Sequence, residues 1–162
     1  MKIYSLLLIL LICNELIAQS AYDSVLLNIR YRKDETALKP HLFIDIFFTS
    51  KFRTPITVVS DKPSESSFIC GIRDGTGIRL EKLDSSCYIE SGPDCDPIGI
   101  YPTPKTRELS DGNTVSYTFD IGPYLDVHKK KFIGNYRFWI YHTFWVGKKK
   151  YTKGSSWVYL NF

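Results

Sequence analysis

The sequence predicts an all-β fold, a single antiparallel β-sandwich of about seven or eight strands. Three observations carry that prediction. Aromatic residues make up 15% of the chain, with 11 Tyr and 10 Phe against a single Met, a composition that favours pleated sheet over helix. Apolar and polar residues alternate with a period of two in run after run, the spacing that sets one face of a strand on a core. Between the runs lie clusters of Gly, Pro, Asn and Asp, the residues that turns require.

The elements are taken in chain order. Lys2 precedes an apolar stretch over residues 3–13 interrupted only by Ser5, and polar Asn14 and Glu15 and small Ala18, Ser20 and Ala21 come next. That is the layout of a secretory signal peptide, so residues 1–19 are expected to be removed and residues 20–162 to form one domain, secreted or periplasmic. The stretch is shorter than the roughly 20 residues that span a bilayer, and no transmembrane segment is expected in the mature chain. Cys13 follows bulky Leu11 and Ile12, where a lipid-attachment site would need a small residue.

Leu27, Ile29 and Tyr31 alternate with Asn28, Arg30 and Arg32, giving a first strand. Residues 42–49 are apolar on nearly both faces and read as a central strand. Ile56–Val59 is a short strand. Residues 67–73 and 78–80 flank Asp74, Gly75, Thr76 and Gly77, a hairpin signal, with Phe68, Cys70 and Ile72 sharing a face. Residues 114–121 turn Val115, Tyr117, Phe119 and Ile121 inward. Residues 123–131 allow one helical turn, with Tyr124, Leu125 and Val127 facing the core. Asn135–Val146 is the longest strand, and residues 155–162 supply a further one.

One stretch is irregular. A long loop near residues 88–111 holds Pro93, Pro97, Pro102 and Pro104, and proline removes ladder donors. Loops of that length in a small domain tend to carry function. Cys70, Cys87 and Cys95 remain after export, so one intramolecular disulfide at most is expected. Pairing of Cys87 with Cys95 is favoured, with Cys70 a buried free thiol, and Cys70 with Cys87 is the alternative.

Charge is unevenly spread. From residue 127 to 162 there is no acidic residue, while Lys129, Lys130, Lys131, Arg137, Lys148, Lys149, Lys150 and Lys153 are basic; the whole chain is +4. The two lysine triplets bracket the longest strand, which at about 3.3 Å per residue separates them by roughly 40 Å. They therefore form no single basic patch, and nucleic acid is not an expected partner. Exposed lysines at turns and strand ends keep sheets from pairing edge to edge.

Candidate chemistry is sparse. The three histidines, His41, His128 and His142, are far apart in sequence, and no nucleophile elbow, zinc-helix motif or phosphate loop occurs. Glu90, Asp94 and Asp96 around Cys95 read as a solvated turn more readily than as calcium ligands. His41 and Asp45 share a strand face without a third ligand. No catalytic residue, metal or cofactor is expected. The longest strand presents Tyr136, Phe138 and Ile140 on one face and Trp139, Tyr141 and Thr143 on the other. Either both faces are buried, or Trp139 and Tyr141 join Trp157 or Tyr159 in a contact patch.

Gly134, Asn135 and Tyr136, opening a strong strand, resemble the E–F corner of immunoglobulin-like domains, in which a tyrosine hydroxyl ties the corner to the backbone. The runs GNYRFWIY and SSWVYLNF are similar to the last two strands of small exported bacterial immunoglobulin-like domains, including those of the BsuPI type of proteinase inhibitor. Phe138 stands where antibody domains have the second cysteine of their inter-sheet disulfide. The resemblance implies an immunoglobulin-like sandwich. Function is expected to be that of a non-enzymatic protein-binding module, an inhibitor of a hydrolase or toxin in its narrower form. It would bind through Ile98, Tyr101, Pro102 and Pro104 of the loop or through Trp139 and Tyr141. The alternative is a structural or accessory subunit of the cell envelope that assembles through a sheet edge.

Overall fold

The computed structural model describes residues 23–36, 39–63, 65–70, 74–90 and 103–162. Most of the alternating runs become strands, every ladder among the described residues is antiparallel, and the fold is an all-β sandwich. In chain order the strands are β1 (Val25–Asp34), β2 (His41–Ser50), β3 (Ile56–Val59), β4 (Thr76–Asp84), β5 (Cys87–Glu90), β6 (Thr106–Leu109), β7 (Thr114–Asp120), β8 (Val127–His128), β9 (Lys131–Phe132), β10 (Asn135–Val146), β11 (Lys149–Gly154) and β12 (Val158–Asn161). The number exceeds expectation because the C-terminal part divides into β11 and β12, and because β5, β6, β8 and β9 are short.

β2 is central, as its two-sided apolar pattern predicts, in a small sheet of order β1-β2-β7. The larger sheet is built on β10, whose twelve residues need two partners on each side. β4 pairs Tyr136 to His142 and β3 pairs Phe144 and Trp145 along one flank. β12 pairs Asn135 to Phe138 and β11 pairs Tyr141 to Val146 along the other. At the break between β11 and β12, Ser155 fills the ladder: its N–H donates to the Ile140 carbonyl at 2.8 Å, and its hydroxyl accepts the Ile140 N–H at 3.1 Å.

The inward faces meet in one core. Leu42, Ile44, Ile46 and Phe48 of β2 and Val115, Tyr117 and Phe119 of β7 face Tyr136, Phe138, Ile140 and Phe144 of β10. Burial of such side chains, about 1.5–3 kcal/mol each, is what holds two sheets together. The Tyr117 hydroxyl crosses between the sheets and donates to the Val59 carbonyl at 2.8 Å, and burial pushes its pKa up to about 12. Fully buried His142 lies against Phe48 with ring centroids 4.2 Å apart. Its Nδ1 is 2.7 Å from the Thr76 hydroxyl, while its Nε2 has no hydrogen-bond partner.

Several expectations are corrected. Where a strand over residues 67–73 is expected, residues up to Cys70 belong to a helix, α1 (Glu65–Cys70), and residues 71–73 lie outside the described residues. Phe68 stacks face to face on Phe119 at 3.8 Å, and Ile69 is buried beside it, so consecutive residues point inward as only a helix allows. The hairpin around Gly75 is therefore absent. The two ends of the expected long loop are ladder strands, β5 on β4 and β6 on β3. Cys87, at the first position of β5, is an exposed free thiol, so neither disulfide pairing predicted for it forms. Cys70, at the end of α1, is the disulfide-bonded cysteine, and its partner, like Cys95, is not among the described residues. The helical turn after Ile121 is a short 3-10 segment, Gly122–Tyr124; Leu125 is buried, but Val127 is exposed.

Candidate binding face

Alternation along β10 decides what the larger sheet shows outward. Tyr136, Phe138, Ile140 and His142 turn in and are buried, while Arg137, Trp139 and Tyr141 turn out and are half-buried. The outward face is thus neither bare nor sealed. Two glycines explain how the large rings lie on it. A Cβ at Gly77 of β4 would run into the Tyr141 ring, and one at Gly154 of β11 would run into the Trp139 ring. Both glycines are ladder partners of Tyr141. Each ring lies down over a position without a side chain, and the two centroids are 5.4 Å apart.

Next along the face is an arginine stack. Arg137 pairs Glu81 on β4 and Tyr159 on β12 in the ladders. Its guanidinium lies between two rings, 4.1 Å from the centroid of Tyr88 and 4.4 Å from that of Trp157. Beneath it the Glu81 carboxylate, only 4% exposed, accepts from Arg137 Nε and Nη2 at 2.6 Å and from Arg79 Nε at 2.8 Å. Both Arg137 donors close on one carboxylate oxygen, Oε2, while Oε1 is taken by Arg79, a two-donor grip that lysine's single ammonium does not reproduce. Burial pulls the Arg137 pKa down, but the hydrogen bonds to Glu81 and Tyr159 outweigh it and the net shift is upward. Tyr88 meets Tyr159 edge to face at 6.2 Å, and Tyr159 is 55% exposed. The result is a surface of Arg137, Tyr88, Trp157 and Tyr159 that continues into Trp139 and Tyr141, with exposed Arg79 beside it.

Of the residues singled out from sequence, Trp139 and Tyr141 are thus brought together. Pro104 is half-buried just before β6, on the far flank of the same sheet. Ile98, Tyr101 and Pro102 lie outside the described residues. Arg137, Tyr88 and Glu81 escaped sequence reasoning. Arg137 had a signal, its place two residues before Trp139 on the same strand face; the pairing with Glu81, 56 positions away, had none. His41 and Asp45 do not converge on a ligand: His41 Nδ1 is 2.5 Å from Asp120, and Asp45 accepts the Thr118 hydroxyl at 2.6 Å. Among the described residues no group of three His, Cys, Asp or Glu is placed to hold a metal, and no helix is long and apolar enough to cross a membrane.

At the start of β10 the Tyr136 hydroxyl accepts the Asp126 N–H at 2.9 Å, ten residues upstream. The fold and this face together define the class: an all-β sandwich presenting an arginine–aromatic surface. Compared with protein-family models, curated proteins and solved structures, the chain matches none.

Proposed function

We propose that this chain is an exported, non-enzymatic module that binds another protein through the outward face of its larger sheet. The observation that carries the reading is the Arg137 stack between Tyr88 and Trp157 over the buried Glu81 carboxylate. Arg, Tyr and Trp are the residue types that dominate interface hot spots. Here Arg137 is already held by Glu81 and stacked between two rings before any partner arrives, which reduces the ordering cost of association. The Tyr136–Asp126 corner bond supports placing the domain among immunoglobulin-like sandwiches, the resemblance noted in the sequence. Inhibition of a hydrolase or toxin, with Ile98, Tyr101 and Pro102 entering a cleft, is the narrower form of the same reading.

The test is a pull-down with the tagged mature domain from envelope and secreted fractions, alongside Trp157→Ala and Tyr159→Ala. Stoichiometric retention of one protein by the wild type, lost in both variants while their thermal melts stay sharp, is the expected result. Equal retention by all three would move the site off this face, and deletion of residues 92–101 would then test the loop. A second reading, assembly into an envelope structure, draws on β1, a ten-residue strand whose one ladder partner among the described residues is β2. A strict monomer by sedimentation at high concentration would exclude it.

A further inference from the structure

A pocket of about 500 Å³ opens where the start of β2, the 3-10 turn and the β8–β9 ribbon meet. It shares no residue with the aromatic face, and a ligand here would be independent of any partner bound there. Its apolar lining is Pro40, Pro123, Leu125 and Val127. Its size falls in the roughly 300–1,000 Å³ range of small-molecule sites, which are likewise mostly apolar with a few polar groups.

The charged side chains that line it directly are two lysines. Lys39, just before β2, and Lys130, in the β8–β9 turn, line the pocket from segments distant in the sequence, and His41 stands beside them. Three acids lie near: Asp34 pairs His41 across the β1–β2 ladder, Asp126 sits between Leu125 and Val127 and is engaged by Lys82, and Asp120, 14% exposed, is bound within the wall. One oxygen accepts the N–H groups of Leu42 at 3.1 Å and Gly122 at 2.9 Å, and the other meets His41 Nδ1 at 2.5 Å. Asp120 therefore holds the wall in place, with both of its oxygens engaged. Gly122 belongs to the same construction: a Cβ there would lie 2.9 Å from the Pro40 carbonyl and 3.0 Å from Asp120 Oδ1. His41 is further fixed by stacking on Phe43 at 5.5 Å.

Lys130 sits where it does at a cost. Lys129 and Lys130 occupy the two central positions of the turn with φ of 50° and 65°, the left-handed region in which Asn and Gly are favoured. Both values are those that a two-residue hairpin turn requires, so the turn fixes where Lys130 stands.

We propose that this pocket binds a small monocarboxylate with an apolar body. Its carboxylate lies between Lys39 and Lys130, and its apolar part rests on Pro40, Pro123, Leu125 and Val127. Two lysines from separate segments beside an apolar lining suit a single delocalised negative charge. A phosphate would call for arginine or a nest of backbone N–H groups, and the Leu42 and Gly122 donors are already spent on Asp120.

The test titrates the full mature protein with sodium octanoate, 1-octanol and octyltrimethylammonium, following backbone amide shifts by NMR. Octanoate is expected to give saturable shifts centred on Leu42, Gly122, Leu125 and Val127, with the alcohol and the cation binding far more weakly. Lys39→Gln and Lys130→Asn should each weaken octanoate roughly three-fold and together about ten-fold, the scale of exposed ion pairs. Lys130→Asn should at the same time raise the melting temperature, because asparagine tolerates the left-handed turn. No saturable response, equal binding of octanol and octanoate, or affinity unchanged in both lysine variants would each overturn the proposal.

Discussion

Acidification from pH 7 to pH 5 should weaken this fold through one side chain. His142 is fully buried between the sheets, its Nδ1 on the Thr76 hydroxyl and its Nε2 unpaired. Burial lowers its pKa from 6.5 to about 3. In the unfolded chain the imidazole keeps its ordinary value of about 6.5. Between those two values the unfolded state takes up a proton that the folded state does not. Stability is therefore full above about pH 6.5, falls by about 1.4 kcal/mol per pH unit below it, and levels off below about pH 3. At pH 5 the loss is about 2 kcal/mol, which at a urea slope of roughly 2 kcal/mol/M lowers the unfolding midpoint by about 1 M. The assay compares urea midpoints at the two pH values for the wild type and for T76V/H142F. That double variant removes both polar partners together and so leaves no orphaned hydroxyl. The wild-type midpoint should fall about 1 M further than that of the variant. Equal pH dependence in the two proteins would refute the reasoning.

Gly77→Ala and Gly154→Ala should each cost about 1–3 kcal/mol, as overpacked positions do, and should change the near-ultraviolet circular dichroism, because Tyr141 and Trp139 must lift off the sheet. Tyr136→Phe removes the partner of the Asp126 N–H and should cost about 1–2 kcal/mol by denaturant unfolding; an unchanged midpoint would mean water replaces the hydroxyl. Iodoacetamide should label Cys87 in the native protein without reductant and Cys70 only after reduction, read by peptide mass mapping.

What the sequence disclosed was what period-two alternation encodes. β3 and β10 have the boundaries read from their patterns, and β2 is central because both of its faces are apolar. Residues 67–73 misled because Phe68, Cys70 and Ile72 alternate as a strand would, while adjacent Phe68 and Ile69 also fit a helix face. Ser64 and Glu65 after Pro63 carried a helix-start signal that alternation outweighed. Trp139 and Tyr141 were legible as an outward pair. The arginine stack was not, because it joins β4, β5, β10 and the segment before β12, and no spacing rule links residues that meet only across ladders. His41 with Asp120, 79 positions apart, was hidden for the same reason.

β10 also governs how the domain comes apart. β3, β4, β11 and β12 each take their place by pairing with this one strand, two on either flank, while its inward side chains form the middle of the core. β10 cannot leave while the rest of the larger sheet persists, since removing it strips four other strands of their ladder. Its central amides should therefore exchange with solvent only through global unfolding, and those of β5 and β6, one strand further out, through small local openings. The outward aromatic face stands on the least yielding strand of the molecule, so a partner that docks there meets a surface that keeps its shape for as long as the domain is folded.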